Sequence, residues 1–203
     1  MRRRIAIVFL LVFATGCATV RHDERMAPRR PSSPTGRSLV VGIGLDRANR
    51  PTVRALARGL ARELDDLWGS VFEAGAFAEQ TAQAGSPIPL DYLERVGAGA
   101  ALKPEVVEWL KRTHAIQSLI FLDVRLFDQE WGPYTRRTRI KLVAWALDLN
   151  QLAVTWRAIS APEVEGESGR SFQLASEAAV KGLVRALKGE APPRWPTRIL
   201  KRR

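Results

Sequence analysis

Residues 118–160 alternate in polarity with a period of two. The stretch RRTRIKLVAWALDL, residues 136–149, places Thr138, Ile140, Leu142, Ala144 and Ala146 on one side of an extended strand. Arg137, Arg139, Lys141, Val143 and Trp145 fall on the other side, because successive strand side chains point to opposite faces. A period of two over this length is not that of a helix. Residues 118–128, SLIFLDVRLFD, begin apolar on both faces and then alternate, with Ile120, Leu122, Val124 and Leu126 sharing a side. A third run, VTWRAIS, covers 154–160. The connections EWGPY and DLNQLA are short, which makes neighbouring runs antiparallel and predicts a three-strand meander.

The preceding half of the chain reads mainly as helices. Val53, Leu56, Ala57, Leu60, Ala61, Leu64, Leu67 and Trp68 recur at steps of three and four, the stripe of an amphipathic helix over 51–68. Arg54, Arg58 and Arg62 form a basic ladder on its other side, read as a solvated face. Ahead of it, SLVVGIGL at 38–45 reads as a buried strand; Gly42 and Gly44 lack the third glycine of a phosphate-binding loop. SVFEAGAF at 70–77 is expected to be a second strand and QTAQAGSP at 80–87 a loop. Two helical pieces follow at 90–96 and 104–113, each preceded or opened by proline. PEVEGESG at 162–169 reads as a loop, before a last helix over 172–188 with Ser171 as N-cap and Gly189 as its stop. The expected fold class is α/β, an α+β sandwich: a mixed sheet with a C-terminal three-strand antiparallel meander and helices packed on it.

Catalytic chemistry finds little support. The chain holds one cysteine and two histidines in 203 residues, too few for a multi-cysteine or zinc constellation. His114 lies at a helix end with no nucleophile near it in sequence, and Asp123, Asp128 and Glu130 read as strand-end and loop acids. The expectation is a protein without enzymatic activity, cofactor or metal. Trp68, Trp109 and Trp156 sit at periodic, core-type positions. Trp131 in a turn, with Arg139, Lys141 and Trp145 on one strand face, forms the candidate partner surface, since tryptophan beside cations favours recognition.

The first seventeen residues carry the clearest functional signal. Met1, Arg2, Arg3 and Arg4 precede nine unbroken apolar residues, 5–13, and the small run Ala14-Thr15-Gly16 ends on Cys17. This is a signal peptide, too short to span a bilayer. Its end resembles the bacterial lipoprotein signal, in which cleavage falls between the residues standing here as Gly16 and Cys17 and the cysteine carries acyl chains. The resemblance departs at Ala14, where leucine is usual. Ala18, rather than Asp, follows the cysteine, which by the same resemblance implies the outer membrane with the domain in the periplasm. The expected organisation is signal peptide 1–16, lipid anchor and flexible tether 17–37, one globular domain 38–190 and a basic, Pro-rich tail 191–203.

Charge agrees with a membrane rather than a nucleic-acid partner. The chain has 32 Lys+Arg against 21 Asp+Glu, net +11. The signal peptide takes three of those charges, and many others lie in residues 21–37 and 194–203, so the cations gather at the two ends.

The stretches EWLKRTHAIQSLIFLDVRLFDQEWG and TRIKLVAWALDLNQLAVTWRA resemble a group of bacterial envelope lipoproteins. That group includes the activators of penicillin-binding proteins, the curli-secretion lipoproteins and the N-terminal domain of the Tol-system propeller protein. The first matches its helix–turn–strand and the second its strand–turn–strand, with Asn150-Gln151 where an acidic or polar residue and glycine are commoner and Trp156 at the tryptophan position. The resemblance implies a tethered periplasmic domain that contacts other envelope proteins, as an accessory of a cell-wall or secretion complex. The alternatives are a peptidoglycan-acting hydrolase and an auxiliary lipoprotein of a lipid-transport system. Neither the identity of the protein partner nor the oligomeric state is written in these residues.

Overall fold

The computed structural model describes residues 18–21, 24–26, 36–44, 50–132, 136–166, 171–190 and 197–199. The elements run β1 (Ala18–Arg21), β2 (Glu24–Met26), β3 (Arg37–Ile43), α1 (Arg50–Trp68), β4 (Val71–Glu73), α2 (Ala74–Gln83), α3 (Leu90–Gly97) and α4 (Pro104–His114). They continue β5 (Ile116–Trp131), β6 (Arg136–Asp148), β7 (Ala153–Ser160), β8 (Glu163–Gly166), α5 (Ser171–Lys188) and β9 (Thr197–Ile199). The expected α+β class and the β5–β6–β7 meander are both present.

All nine strands described join one sheet, whose order begins β4-β3-β5-β6. β3 is parallel to both β4 and β5, an arrangement that requires a crossover, supplied by the helices between them. Every other pairing is antiparallel. The far edge of β6 is shared: its residues 142–148 pair with β7 and its residues 136–139 with β8. Pro162 stands between β7 and β8, and its carbonyl accepts from the Ile140 N–H. Proline has no N–H for a ladder, so the strand breaks there. β2 then extends the sheet beside β7, β1 beside β8, and β9 beside β1.

The two faces are covered unequally. On one face, α1 and α5 bury Val40, Ile120, Leu122, Leu142, Ala144 and Trp156. The α1 stripe holds as far as Leu64, with Val53, Leu56, Ala57, Leu60, Ala61 and Leu64 inward; Trp68 packs partly buried at its end, while Leu67, expected in the stripe, is exposed, and each fully buried leucine contributes about 2 kcal/mol. Gly42 lets this helix approach, since a Cβ there would lie 2.7 Å from Val53 Cγ1. The GIGL glycine is thus a packing residue. On the opposite face, α2, α3 and α4 cover Leu39, Val41, Leu119 and Phe121. Gly97 makes α3 fit, because a Cβ on it would overlap Ile43 and Phe121. This second layer covers β3, the first part of β5 and the far end of β6; among the described residues no helix covers the rest of that face.

Several expected boundaries move. The 70–77 strand ends at Glu73, and 74–83 is helical. Glu73 accepts hydrogen bonds from the Gly75 and Ala76 N–H groups; this N-cap outweighs the β-like pattern of the segment. The expected loop after Ser160 contains β8, where Val164 is buried against the helices between two outward glutamates. Residues 18–21 and 24–26, expected within a flexible tether, are strands of the sheet, and residues 197–199 of the expected tail form another. The open backbone edge of β7 and β8 offers them ladder partners that no local pattern reveals.

Candidate functional site

A bulge in β5 determines what the open face displays. Val124 pairs with Leu142 and Leu126 with Lys141, so Arg125 is an extra residue on β5. An inserted residue reverses the in–out order beyond it. Leu126 therefore does not share a face with Ile120, Leu122 and Val124, as the sequence pattern predicts. It stands 43% exposed opposite Lys141. Asp128 and Glu130 follow it onto the open face, while Phe127 turns to the α5 side and meets the Phe172 ring edge-on at 5.4 Å.

Two cross-strand rows of charge occupy this face. Arg139 lies between Asp128 on β5 and Glu163 on β8, and Arg137 between Glu130 and Glu165. Arg139 reaches Glu163 and Glu130 at 3.1 Å each and Asp128 at 3.9 Å. Arg137 reaches Glu163 at 3.4 Å and Glu130 and Glu165 at 3.6 Å. Opposite charges directly across strands favour this register, though solvent screens such partly exposed pairs. The hydrogen bond to Glu163, and next the charge of Glu130, hold the Arg139 guanidinium above its ordinary pKa. Register places Arg21 of β1 beside Glu163 as well.

The candidate surface is thereby divided. Arg139 is engaged by three carboxylates. Lys141 is exposed and makes no ion pair among the described residues. Trp145 is half-buried against Phe121, ring centroids 5.6 Å apart, at the rim of the second helical layer. Trp131 is 70% exposed, but its register with Arg136 puts it beyond the bulge on the α5 side. The Arg136 guanidinium covers its ring at 3.5 Å. Cys17 and Gly16 lie outside the described residues. The acids Asp128, Glu130, Glu163 and Glu165 were missed as a group; the alternation of EVEG held the only local signal for the last two.

Other chemistry-bearing groups are accounted for by packing. Asp123 is nearly buried and paired with Arg125. A groove of about 420 Å³ runs between α1 and α5, lined by Gly59, Arg62, Phe172, Val180 and Lys181 among others. Among the described residues no helix is long and apolar enough to cross a membrane.

His114 is 8% exposed, edge-on to Trp109 and Phe77 at ring distances of 4.7 and 5.7 Å, with Ser86 Oγ at 3.5 Å. Burial first, then the charge of Arg37, lowers its pKa below the ordinary 6.5, and Ser86 opposes the shift. The unfolded chain therefore binds a proton that the folded chain rejects. Stability from this group is complete above pH 6.5 and declines as pH falls from there toward the lowered folded value. Thermal melts of wild type should lose Tm over that window, and His114→Phe, which keeps the aromatic packing, should lose less. Equal slopes for the two proteins would remove His114 from the acid response.

No family model matches the chain, and no curated protein matches it. Among solved structures it is similar to the PelC dodecamer from Paraburkholderia phytofirmans, in two crystal forms, one of a point variant. In each the TM-score is 0.54 at 12% identity, over 82% of this chain and 97–98% of that one. It is also similar to lipoprotein GNA1162 from Neisseria meningitidis, with TM-score 0.47 and 18% identity over 73% of this chain and 97% of that one. The likeness to PelC is one of fold.

Proposed function

We propose that this chain is a bacterial lipoprotein, held at the outer membrane through acyl chains on Cys17, whose periplasmic domain binds a protein partner as an accessory of an envelope complex and catalyses no reaction. The observation that carries this reading is the order of basic residues, nine apolar residues, small residues and the sole cysteine at the start of the chain. The open half of the sheet supports a binding role, because Leu126 and Lys141 sit side by side there uncovered. The carboxylates a hydrolase would use support the same reading: Asp123 is held by Arg125, and Glu130 by Arg137 and Arg139.

A photo-cross-linking residue at Leu126 or Lys141 should yield a discrete adduct in cells, and one at Arg58, on the exposed side of α1, should not. Lys141→Glu should reduce the Leu126 adduct several-fold without lowering Tm, since surface changes of this kind stay within about 0.5 kcal/mol. Equal adducts from α1, or none from the sheet, would remove this face as the contact. Wall-degrading activity of the purified domain, lost in Asp123→Asn, would replace the binding reading with the hydrolase.

A further inference from the structure

We propose that the half of the open face nearest the second helical layer receives an amphipathic helix of the protein partner, one that carries carboxylates beside its apolar stripe. This rests on the reading of the open face as the partner contact and names the chemistry that docks there.

Two bulges set the surface. Arg125 is the extra residue on β5. Thr155 is the extra residue on β7, since Ala146 pairs with Trp156 and Leu147 with Val154. A bulge re-aims the side chains next to it. The first turns Leu126 to the open face. At the second, Val154 stands opposite Leu147, which packs against the α2–α4 core. Directly opposite residues share a face, so Val154 lies on the open face too. Leu126 is 43% exposed and Val154 59%, and Leu152, in the turn that leads into β7, is 58% exposed. Large apolar side chains grouped on an uncovered surface mark a contact.

Charge separates this half from the rest. Toward β8, Arg137 and Arg139 are matched by Asp128, Glu130, Glu163 and Glu165. Here Lys141 stands opposite Leu126 and Arg157 opposite Trp145. Both cations are exposed and make no ion pair among the described residues. Asp123, on the same face, is nearly buried and held by Arg125. The surface is therefore apolar with unpaired cations, and its complement is apolar with carboxylates.

The dimensions fit a helix. The α2–α4 layer reaches as far as Trp145, half-buried against Phe121. From Lys141 to Leu147, β6 rises about 20 Å, the length of a helix of about 14 residues. β6 and β7 lie about 5 Å apart, so with their side chains the strip is about 10 Å wide, one helix diameter. A helix there extends the layer already laid by α2, α3 and α4, and buries the sheet face as helices on sheets do. Lys141 at one end of the strip and Arg157 on its β7 side give the carboxylates their places.

The test is a photo-cross-linking residue at Val154 of the full-length chain in cells, with the adduct digested and its peptide sequenced. The captured segment should carry apolar residues at steps of three and four with Asp or Glu beside them. A synthetic peptide of that segment should bind the purified full-length chain, and Lys141→Glu with Arg157→Glu should weaken the binding roughly tenfold. Changing the peptide's carboxylates to lysine should reverse the preference toward this double variant. Its Tm should match wild type, and Lys141→Arg with Arg157→Lys, which keeps both charges, should bind the original peptide as wild type does. A captured segment that is basic or lacks the helical period, or that belongs to this chain itself or to a second copy, overturns the inference. So does equal binding by wild type and the double variant. Adducts from Leu126 and Lys141 with none from Val154 would leave the partner face standing and remove the docked helix. No adduct from any of the three removes the face itself.

Discussion

Cys17→Ser should move the protein from the membrane pellet to the soluble fraction. A single acyl chain binds a bilayer only marginally, whereas two hold it stably, at about 0.8 kcal/mol for each buried CH₂. The two or three chains of a bacterial lipoprotein thus make dissociation negligible, and their loss should lower the membrane-bound share by on the order of 100-fold or more. Serine keeps the size of the side chain and removes the thiol that acylation needs. What remains bound should be salt-sensitive, through the cations of residues 194–203. Ala14 makes the experiment decisive, since conventional cleavage nearby would leave a protein that is soluble with or without the thiol. A Cys17→Ser protein that stays in the pellet after a salt wash would end the anchored reading.

Leu122→Ala should lower stability by about 3–4 kcal/mol. Leu122 is fully buried in the middle of β5, in the core cluster between the sheet and the α1–α5 layer. Its register partner Ala144, and Leu142, Leu60 and Leu64 of the same core cluster, belong to regular elements, which relax only partially into the vacated space, so the cavity term adds to the transfer term. For a chain of this size the Tm should fall by roughly 10 °C. Lys141→Ala, on the open face, should shift Tm little. A Leu122→Ala protein melting within two or three degrees of wild type would mean that the helices do not close over this face as described.

The elements that could be read in advance are those with a long local signature. Alternation over 138–146 put Ile140, Leu142, Ala144 and Ala146 on the helix-covered face, as found. The 53–64 stripe did the same for α1. Strands of three or four residues, such as β1, β2, β8 and β9, are too short to show a period, and their existence depends on the edge they pair with. Glu73 overrode a β-like apolar run through two hydrogen bonds that only its position at a strand end makes possible.

The candidate surface shows the same division. Arg139, Lys141 and Trp145 do share a face, as alternation requires, yet their roles differ: one is ion-paired, one exposed and one packed. Trp131 left that face through the Arg125 bulge, a one-residue slip visible only in the pairing with β6.

By itself, then, the sequence determined the amphipathic helices and the meander, because each follows from a period set by backbone geometry. Only the tertiary structure decided which cations among the described residues are already paired, which face stays open, and that β1 and β9 pair at one sheet edge. Those outcomes depend on contacts between residues far apart in the chain, and no local pattern records a partner that has yet to arrive.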